Sequence, residues 1–572
     1  MSVFPLVVWL ATGAWRIDGG DSLGVLRSAR RAQEAFEATR RYNLPERYGG
    51  WSGVCGERIG RICYWYEGGD DEETPPEEPV RIRQARAKLL AALDEALAAS
   101  PGDEWITGQR VRYLLEDGQP QQAARAAAEC RAVRWWCDAL AGLVRHVTGD
   151  FVGADSVFAA ALAAMPHDER CSWTDISSLL EGTLADRYRE LDCAGRSAFE
   201  ARWWWLAQPL YSQAGNDRRT EHFARRVMVR IHEGRRTTFG LYWENDLRDV
   251  LVRYGWPTWW TREPRASPLL QSEPYVTGHS PSPAFHFAPA AHALDQPERA
   301  SPEDWTIDGR QARERYAPAY AAAFGALEHQ AAVFTRGDSC IVVAAANLSD
   351  DTLFADRPVT TALVLAADEH DMTVARDSGL ARGRARALVA RAACRPVVMS
   401  LEAIAPGERH VARARYGLTP TPDQRDHAAI SDVLLFDPSP FDSLPGSLEA
   451  VVRHTRGSTR IPAGRKVGVF WEVYGLAPAG EEVTTSVMVT RAGSGWLRRA
   501  VESVGLASRR REVGLEWDQV LIPQERDPRV ASRALALDLS GVSPGRYRIE
   551  VTVTGPGRAS LTATRDIEVV RD

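Results

Sequence analysis

The chain reads as a multidomain α+β protein, helical through its first half and built of antiparallel β-sandwiches through its second. Three observations predict this. Hydrophobic residues recur at helical spacing from Arg81 onward, a Pro-, Ser- and His-rich interval interrupts the pattern after Pro264, and short β-rich runs bounded by turns begin beyond Ala317. At 572 residues the sequence is too long for one core, and roughly three to five domains of ~100–200 residues are expected. A hydrophobic fraction of 44% with 26% charge is ordinary for a globular chain. The net charge of −6 gives none of the basic field that a nucleic-acid backbone requires. Lys88 and Lys466 are the only lysines, so almost every cation is an arginine.

Residues 1–20 have the character of a signal peptide. SVFPLVVWLATGA is an apolar run of suitable length, with Thr12 and Ala14 near a possible cleavage point, although no basic residue precedes it. No other run reaches the ~18–20 apolar residues that span a bilayer. Residues 21–79 form a Cys-containing segment ending in the acidic, Pro-rich stretch EGGDDEETPPEEP, a solvated linker by composition. The eight cysteines fall into sequence neighbours with no CxxC, which argues against zinc ribbons and thioredoxin-like sites. Cys55 with Cys63, Cys171 with Cys193, and Cys340 with Cys394 are disulfide candidates, the first flanking a Gly-rich loop. For Cys130 and Cys137 a bond and a pair of buried thiols both remain open. This pairing predicts an extracytoplasmic protein, periplasmic or secreted.

Residues 80–168 carry helical repeats. Gly142, Gly149, Asp150, Phe151, Ala154, Phe158, Ala161 and Pro166 make up the clearest unit, and thirty-one residues earlier Gly118, Ala123, Ala127 and Cys130 hold the corresponding places. Small residues at these positions let antiparallel helices approach, aromatics fill the gap, and proline closes the second helix. The pattern resembles tetratricopeptide repeats. About two and a half are visible, fewer than the ~3 that stand alone, so they are expected to stack on the next helical domain.

That domain is placed at 169–263. Asn216 or Asp217 caps a helix after Gly215, and Glu221 and Arg225 have ion-pair spacing. An enzyme reading would make Asp217, Glu221, His222 and Asp246 an acid/base or metal group, but adjacent Glu221 and His222 point ~100° apart on a helix. The structural reading pairs Glu221, Asp246, Asp249, Arg248 and Arg253 as ions that fix packing. Trp203, Trp204, Trp256, Trp259 and Trp260 are a candidate ligand platform, since aromatic faces stack on sugars and clamp peptides, though tryptophan is also the largest core filler.

Residues 264–312 are expected to be a linker, and 313–420 and 428–572 two β-sandwiches. AAVFTRGDSCIVVAAANLS and TTALVLAADEHDMTVAR read as hairpins. Leu401, Pro406, Gly407 and Val411 repeat at the same spacing as Leu539, Pro544, Gly545 and Ile549. Both are expected to be Pro-Gly hairpins near the end of an immunoglobulin-like sheet. In VGVFWEVYGL alternate residues are apolar, predicting a strand with one face buried and one in water.

From Phe199 to the C-terminus the sequence resembles the GWxTD domain family of bacterial secreted proteins. The resemblance rests on Trp204 to Pro209, Asn216 to Arg226, Asp246 with Arg248, and Arg253-Tyr254-Gly255 with Pro257, and it extends to AISDVLLF and VGVFWEVYGL. At the naming motif the chain has Leu241-Tyr242-Trp243-Glu244-Asn245-Asp246, which keeps the Trp and Asp but not the Thr. The resemblance implies a secreted or envelope-associated protein and implies no reaction. No HExxH, Walker A or dinucleotide-binding glycine pattern occurs. The expectation is therefore a non-enzymatic extracytoplasmic scaffold without a cofactor, its repeats binding a protein or peptide. An envelope-polymer hydrolase and a carbohydrate-binding protein are the alternatives.

Overall fold

The computed structural model describes residues 19–47, 55–66, 75–263, 273–382, 385–420, 428–477, 479–492, 511–524 and 529–571. The signal peptide expected at residues 1–20 lies almost wholly outside them. The fold is α+β, with helices in the N-terminal region and several sheets in the C-terminal region. Contacts divide the chain into two compact units, Met1–Cys193 with Gly215–Ser282 and Arg310–Tyr316, and Ala194–Ala214 with Pro283–Gly309 and Ala317–Asp572. All eight cysteines pair, as Cys55–Cys63, Cys130–Cys137, Cys171–Cys193 and Cys340–Cys394. Among the described residues no helix is long and apolar enough to cross a membrane.

In the first unit the repeat region forms the helices Val80–Ala99, Glu104–Glu116, Pro120–Ala128, Arg134–Val147 and Phe151–Ala164. Gly118 and Gly149, matched in the sequence, both turn the chain between helices at φ +68° and +82°, a conformation that favours glycine. Asp150 then caps the last helix by accepting from the Gly153 N–H. Gly142 lies against the Phe158 ring, where a Cβ would approach to 2.6 Å. Ala123, Leu140, Leu143 and Phe158 share one core with Phe223, Val227 and Ile231 of the helix Asp217–His232. These helices thus bury an apolar face against that helix.

The structure departs from expectation at the N-terminal segment. Gly19–Asn43 is a 25-residue helix, and its Ala29 and Phe36 pack with Ile82, Leu89 and Leu93. Glu37, Arg40 and Arg41 on it are buried. The Glu37 carboxylate accepts from Tyr113 Oη at 2.7 Å, Thr238 Oγ1 at 2.9 Å and Arg112 at 3.2 Å. Arg112 also bonds Glu116 at 2.7 Å, and Arg40 pairs with the same carboxylate.

In the second unit two β modules each have a core shared by two sheets. The first joins a three-stranded sheet, in the order Arg386–Ala393, Ser339–Ala346, His329–Arg336, to a five-stranded one. The latter runs Ala323–Ala326, His410–Leu418, Val397–Ala405, Pro358–Ala366, Met372–Leu380. Val342, Ala344, Leu363, Met399 and Leu401 fill the space between them. Both predicted hairpins are present, with Gly337 at φ +62° in the tight turn of the first. The second module builds its core from Val467, Trp471, Val487, Ile549 and Val551.

Four sequence expectations are corrected here. The strand Lys466–Tyr474 is buried on both faces beyond Lys466, because Phe470 joins Phe334, Val343 and Phe436 in a separate cluster on the side expected to meet water. The two Pro-Gly turns also differ. Pro406–Glu408 is a single turn inside an antiparallel hairpin, whereas the chain before Gly545 passes from the strand Val530–Asp538 in one sheet to Gly545–Thr554 in another. The expected linker contains the strand Val276–His279 and the helix Ala291–Asp295, and buries Phe287, Ala293 and Leu294. Finally, the tryptophan run falls in a different unit from the rest of its expected domain.

That run lies on the helix Cys193–Ala207, and Trp203, Trp204 and Trp205 are all buried. Its C-terminal end is fastened to the outer face of the five-stranded sheet. Leu401 and Ala403 point into the core, so Ser400 and Glu402 face outward by the strand's period of two. Glu402 accepts from the backbone N–H of Tyr211 at 2.8 Å and Ser212 at 2.9 Å. Arg415 covers the Tyr211 ring at 3.7 Å and donates to Gln208 O at 2.7 Å. Glu402 and both Arg413 and Arg415 are buried. Glu402→Ala should therefore lower stability by about 3–5 kcal/mol by leaving buried guanidinium charge uncompensated. Urea denaturation checks this, and a loss below about 1 kcal/mol would mean the site is solvated.

Candidate functional site

The polar cluster of the sequence is carried by the helix Asp217–His232. Gly215 precedes it at φ +80°, where a Cβ would lie 2.7 Å from the backbone of Phe151 and Val152. Asn216 is the cap, its Oδ1 accepting from the Arg219 N–H at 3.0 Å. Asp217 is buried and hydrogen-bonded by Tyr316. Arg218 meets Glu314 through Nε at 3.0 Å, with both side chains out of water.

Glu221 is held from two sides, by Arg225 Nε at 2.6 Å and His146 Nε2 at 2.7 Å. Burial opposes its ionisation, but Arg225 and His146 outweigh that and hold the carboxyl well below the ordinary range. His146 Nδ1 lies 2.9 Å from Thr220 Oγ1, completing a carboxylate–imidazole–hydroxyl chain like that of a hydrolase triad. Thr220 has no exposed surface and its hydroxyl donates to Asp217 O, so no substrate reaches it. His146 was not singled out in the sequence, because seventy-four residues separate it from Thr220. His222 points elsewhere, with Nε2 3.1 Å from Trp173 O, and burial and the nearby arginines push its pKa well down.

Asp246 belongs to a second constellation. The Cys55–Cys63 bridge closes a hairpin of the strands Glu57–Ile59 and Ile62–Tyr64. This hairpin seats on the helix Asn245–Tyr254 through two forked ion pairs. Arg61 donates to both Asp246 oxygens at 2.7 Å, and Arg253 donates to both Glu57 oxygens at 2.9 and 2.8 Å. Tyr64 stacks on Tyr254 at 3.8 Å between them. Gly60, Arg61, Glu244, Asn245 and Asp246 line a surface depression beside the clamp. A side chain at Gly60 would meet Asp246 Cβ at 2.6 Å. Asp249 and Arg248 make only a 4.0 Å surface pair.

Asp217, Glu221, His222 and Asp246 therefore have separate partners. The tryptophans divide likewise. Trp203 and Trp204 are buried and present no face to a ligand. On the strand Trp259–Arg262, Trp259 and Trp260 project to opposite faces. Trp259 stacks on His279 at 3.5 Å, whereas Trp260 meets Trp256 at 5.7 Å and Phe239 at 4.7 Å. Trp243, kept from the naming motif, stacks on buried His232 at 4.9 Å and meets Trp256 at 5.8 Å. Phe239, Trp243, Trp256 and Trp260, all half-buried, form one aromatic cluster. A Gly-x-Ser-x-Gly string, Gly20 to Gly24, escaped the sequence reading. It lies in the first turns of the helix Gly19–Asn43.

No protein-family model matches the chain, and no curated protein matches it. Among solved structures, red sea bream transglutaminase aligns at 10% identity and a TM-score of 0.15, over 43% of this chain and 32% of that one. A calcium-binding mutant of Bacteroides uniformis beta-glucuronidase 2 aligns at 9% identity and a TM-score of 0.16, over 41% and 27%. The matched stretch thus spans about a third or less of either protein.

The clamp sets a pH dependence. Burial raises the Glu57 pKa, but hydrogen bonds from Arg253, Tyr66 and Tyr254 bring it from 4.5 down to about 2. Hydrogen bonds from Arg61 bring Asp246 from 3.8 to about 2. Both groups bind protons more weakly folded than unfolded, so their contribution is complete above about pH 5 and is lost as pH falls towards 2. Urea midpoints measured across that window should fall for the wild type. Arg61→Ala should flatten the slope, and an unchanged slope would rule out the Asp246 pair as its source.

Proposed function

We propose that this chain is a non-enzymatic extracytoplasmic interaction protein. In this reading it is a divergent member of the GWxTD family, with tetratricopeptide-like repeats that bind a protein or peptide and two immunoglobulin-like β-sandwiches. The observation that carries the non-enzymatic reading is the separate pairing of the candidate carboxylates. Glu221 is tied to Arg225 and His146, and Asp246 to Arg61, so each is kept ionised and held in place. A general acid or base needs a pKa near the working pH and access to the substrate proton. Four disulfides support an oxidising compartment. The paired glycines at 118 and 149 and the contact of Gly142 with Phe158 support the repeat assignment.

The half-buried cluster of Phe239, Trp243, Trp256 and Trp260 favours a second reading, a carbohydrate-binding face in place of or beside a peptide groove. Thermal shift with the full chain separates the two readings. A ligand that binds only the folded state raises the melting temperature, by about 2.7 kcal/mol of stability at a hundredfold excess over Kd. Peptides should do so, whereas a response confined to glycans and abolished by Trp256→Ala would replace the first reading with the second. Glu221→Ala should cost about 3 kcal/mol, since Arg225 is left buried without its carboxylate. A variant that melts like the wild type yet loses hydrolysis of an envelope polymer would establish an enzyme instead.

A further inference from the structure

His167 and Cys171 stand four residues apart on the helix His167–Thr174 and so share one face. His167 Nε2 and Nδ1 lie 3.7 and 3.9 Å from Cys171 Sγ, and Nδ1 also faces Asp168 Oδ1 at 3.1 Å. Cys171 is bonded to Cys193, the first residue of the 15-residue helix Cys193–Ala207. His167 is exposed and both cysteines are half-buried, so a dissolved thiol can approach the bond. The surroundings differ at the other bridges. Cys55 and Cys137 contact the backbone carbonyls of Glu57 and Ala132, and Cys340 is buried.

We propose that Cys171–Cys193 is an exchange-active disulfide that accepts two electrons from a dithiol. One thiolate of the donor attacks Cys193 Sγ, forming a mixed disulfide. The electron pair of the Cys171–Cys193 bond leaves on Cys171 as a thiolate, which the adjacent His167 ring stabilises. The donor's second thiolate then attacks its own sulfur in the mixed disulfide. Cys193 leaves as a thiolate in the first turn of a helix, where the helix dipole favours negative charge. The donor ends as a disulfide; of the two protons that the dithiol released, one returns to Cys193 and the other passes to the buffer, while Cys171 stays a thiolate beside His167. Stabilising the departing thiolate both speeds exchange and makes a bridge more oxidising. The bridge joins residues separated by 22 positions, so its opening frees the segment that buries Ile176, Leu179 and Tyr188.

The test uses the native full chain and dithiothreitol, with timed alkylation and mass spectrometry reading each bridge separately. Cys171–Cys193 should open at least about tenfold faster than the other three, and His167→Gln should slow it about tenfold, the order of effect of lowering a leaving thiol's pKa by roughly two units. His167 is exposed, so the variant should keep the wild-type circular dichroism spectrum. The singly reduced wild type should also show the ultraviolet absorbance of a thiolate at neutral pH, and His167→Gln should lose it. Opening of this bridge in step with or after the others would overturn the proposal. So would a His167→Gln variant with unchanged rate and thiolate absorbance.

Discussion

Buried guanidinium groups shared between carboxylates and backbone carbonyls hold each unit together internally. With two lysines in 572 residues, interior cations have to be arginine, and arginine suits the task. Its planar fork donates in several directions at once, whereas an ammonium acts as a point charge. Arg225 shows the use made of this. It bonds Glu221 on its own helix, then the carbonyls of Val252 and Arg253 at the end of the helix Asn245–Tyr254, and also Arg315 O. Those carbonyls have no partner within their helix, so one side chain satisfies a helix terminus and joins three segments. Arg415 does the same for Leu206 O and Gln208 O in the second unit.

Such pairing has a chemical consequence. Burial raises the pKa of Glu116 and Glu221, but their charged neighbours, arginines foremost, hold both well below the ordinary carboxylate range. A carboxylate fixed in this way is a structural anion. It neither takes nor gives a proton near neutrality, however closely its neighbours resemble a catalytic group. The chain from Glu221 through His146 to Thr220 illustrates the point. Its distances suit a relay, and its burial and its arginine make it part of the packing.

How much of this was legible depended on sequence distance. Local signals were readable: the Asn216 cap, the Glu221–Arg225 pair, the Gly337 turn and the Cys55–Cys63 loop each involve residues within about ten positions. Long-range partners were not. Asp246 and Arg253 were recognised as ion-pair residues, but Arg61 and Glu57 lie 185 and 196 positions away. Nothing in a single sequence links them. The helix Gly19–Asn43 was missed because polar residues fill its buried face. Gln33, Glu37, Arg40 and Arg41 are covered together with Ala29 and Phe36, so an apolar stripe never forms. The strand Lys466–Tyr474 misled in the opposite sense, since its Gly468 and Glu472 read as a solvent face. Gly468 packs under Phe436 and Glu472 pairs with Arg336.

The aromatic block shows why density of one residue type is a poor guide to a site. Three successive tryptophans on a helix are spread over ~200°, so at least one must turn away from any single ligand. Here all three are buried, and the segment acts as a plug whose end Glu402 and Arg415 fix. Trp256 and Trp260 come together for a different reason: a turn and a strand bring them to one side, while alternation sends Trp259 to the other. What the carboxylates and the buried indoles cannot supply, then, has to come from groups that the packing leaves accessible. Two such groups among the described residues are the half-buried aromatic cluster around Trp256 and the exposed imidazole beside the Cys171–Cys193 sulfurs. The first offers a face without acid–base chemistry. The second offers sulfur chemistry that needs neither a metal nor a displaced carboxylate, because an i, i+4 pair on one short helix sets its geometry.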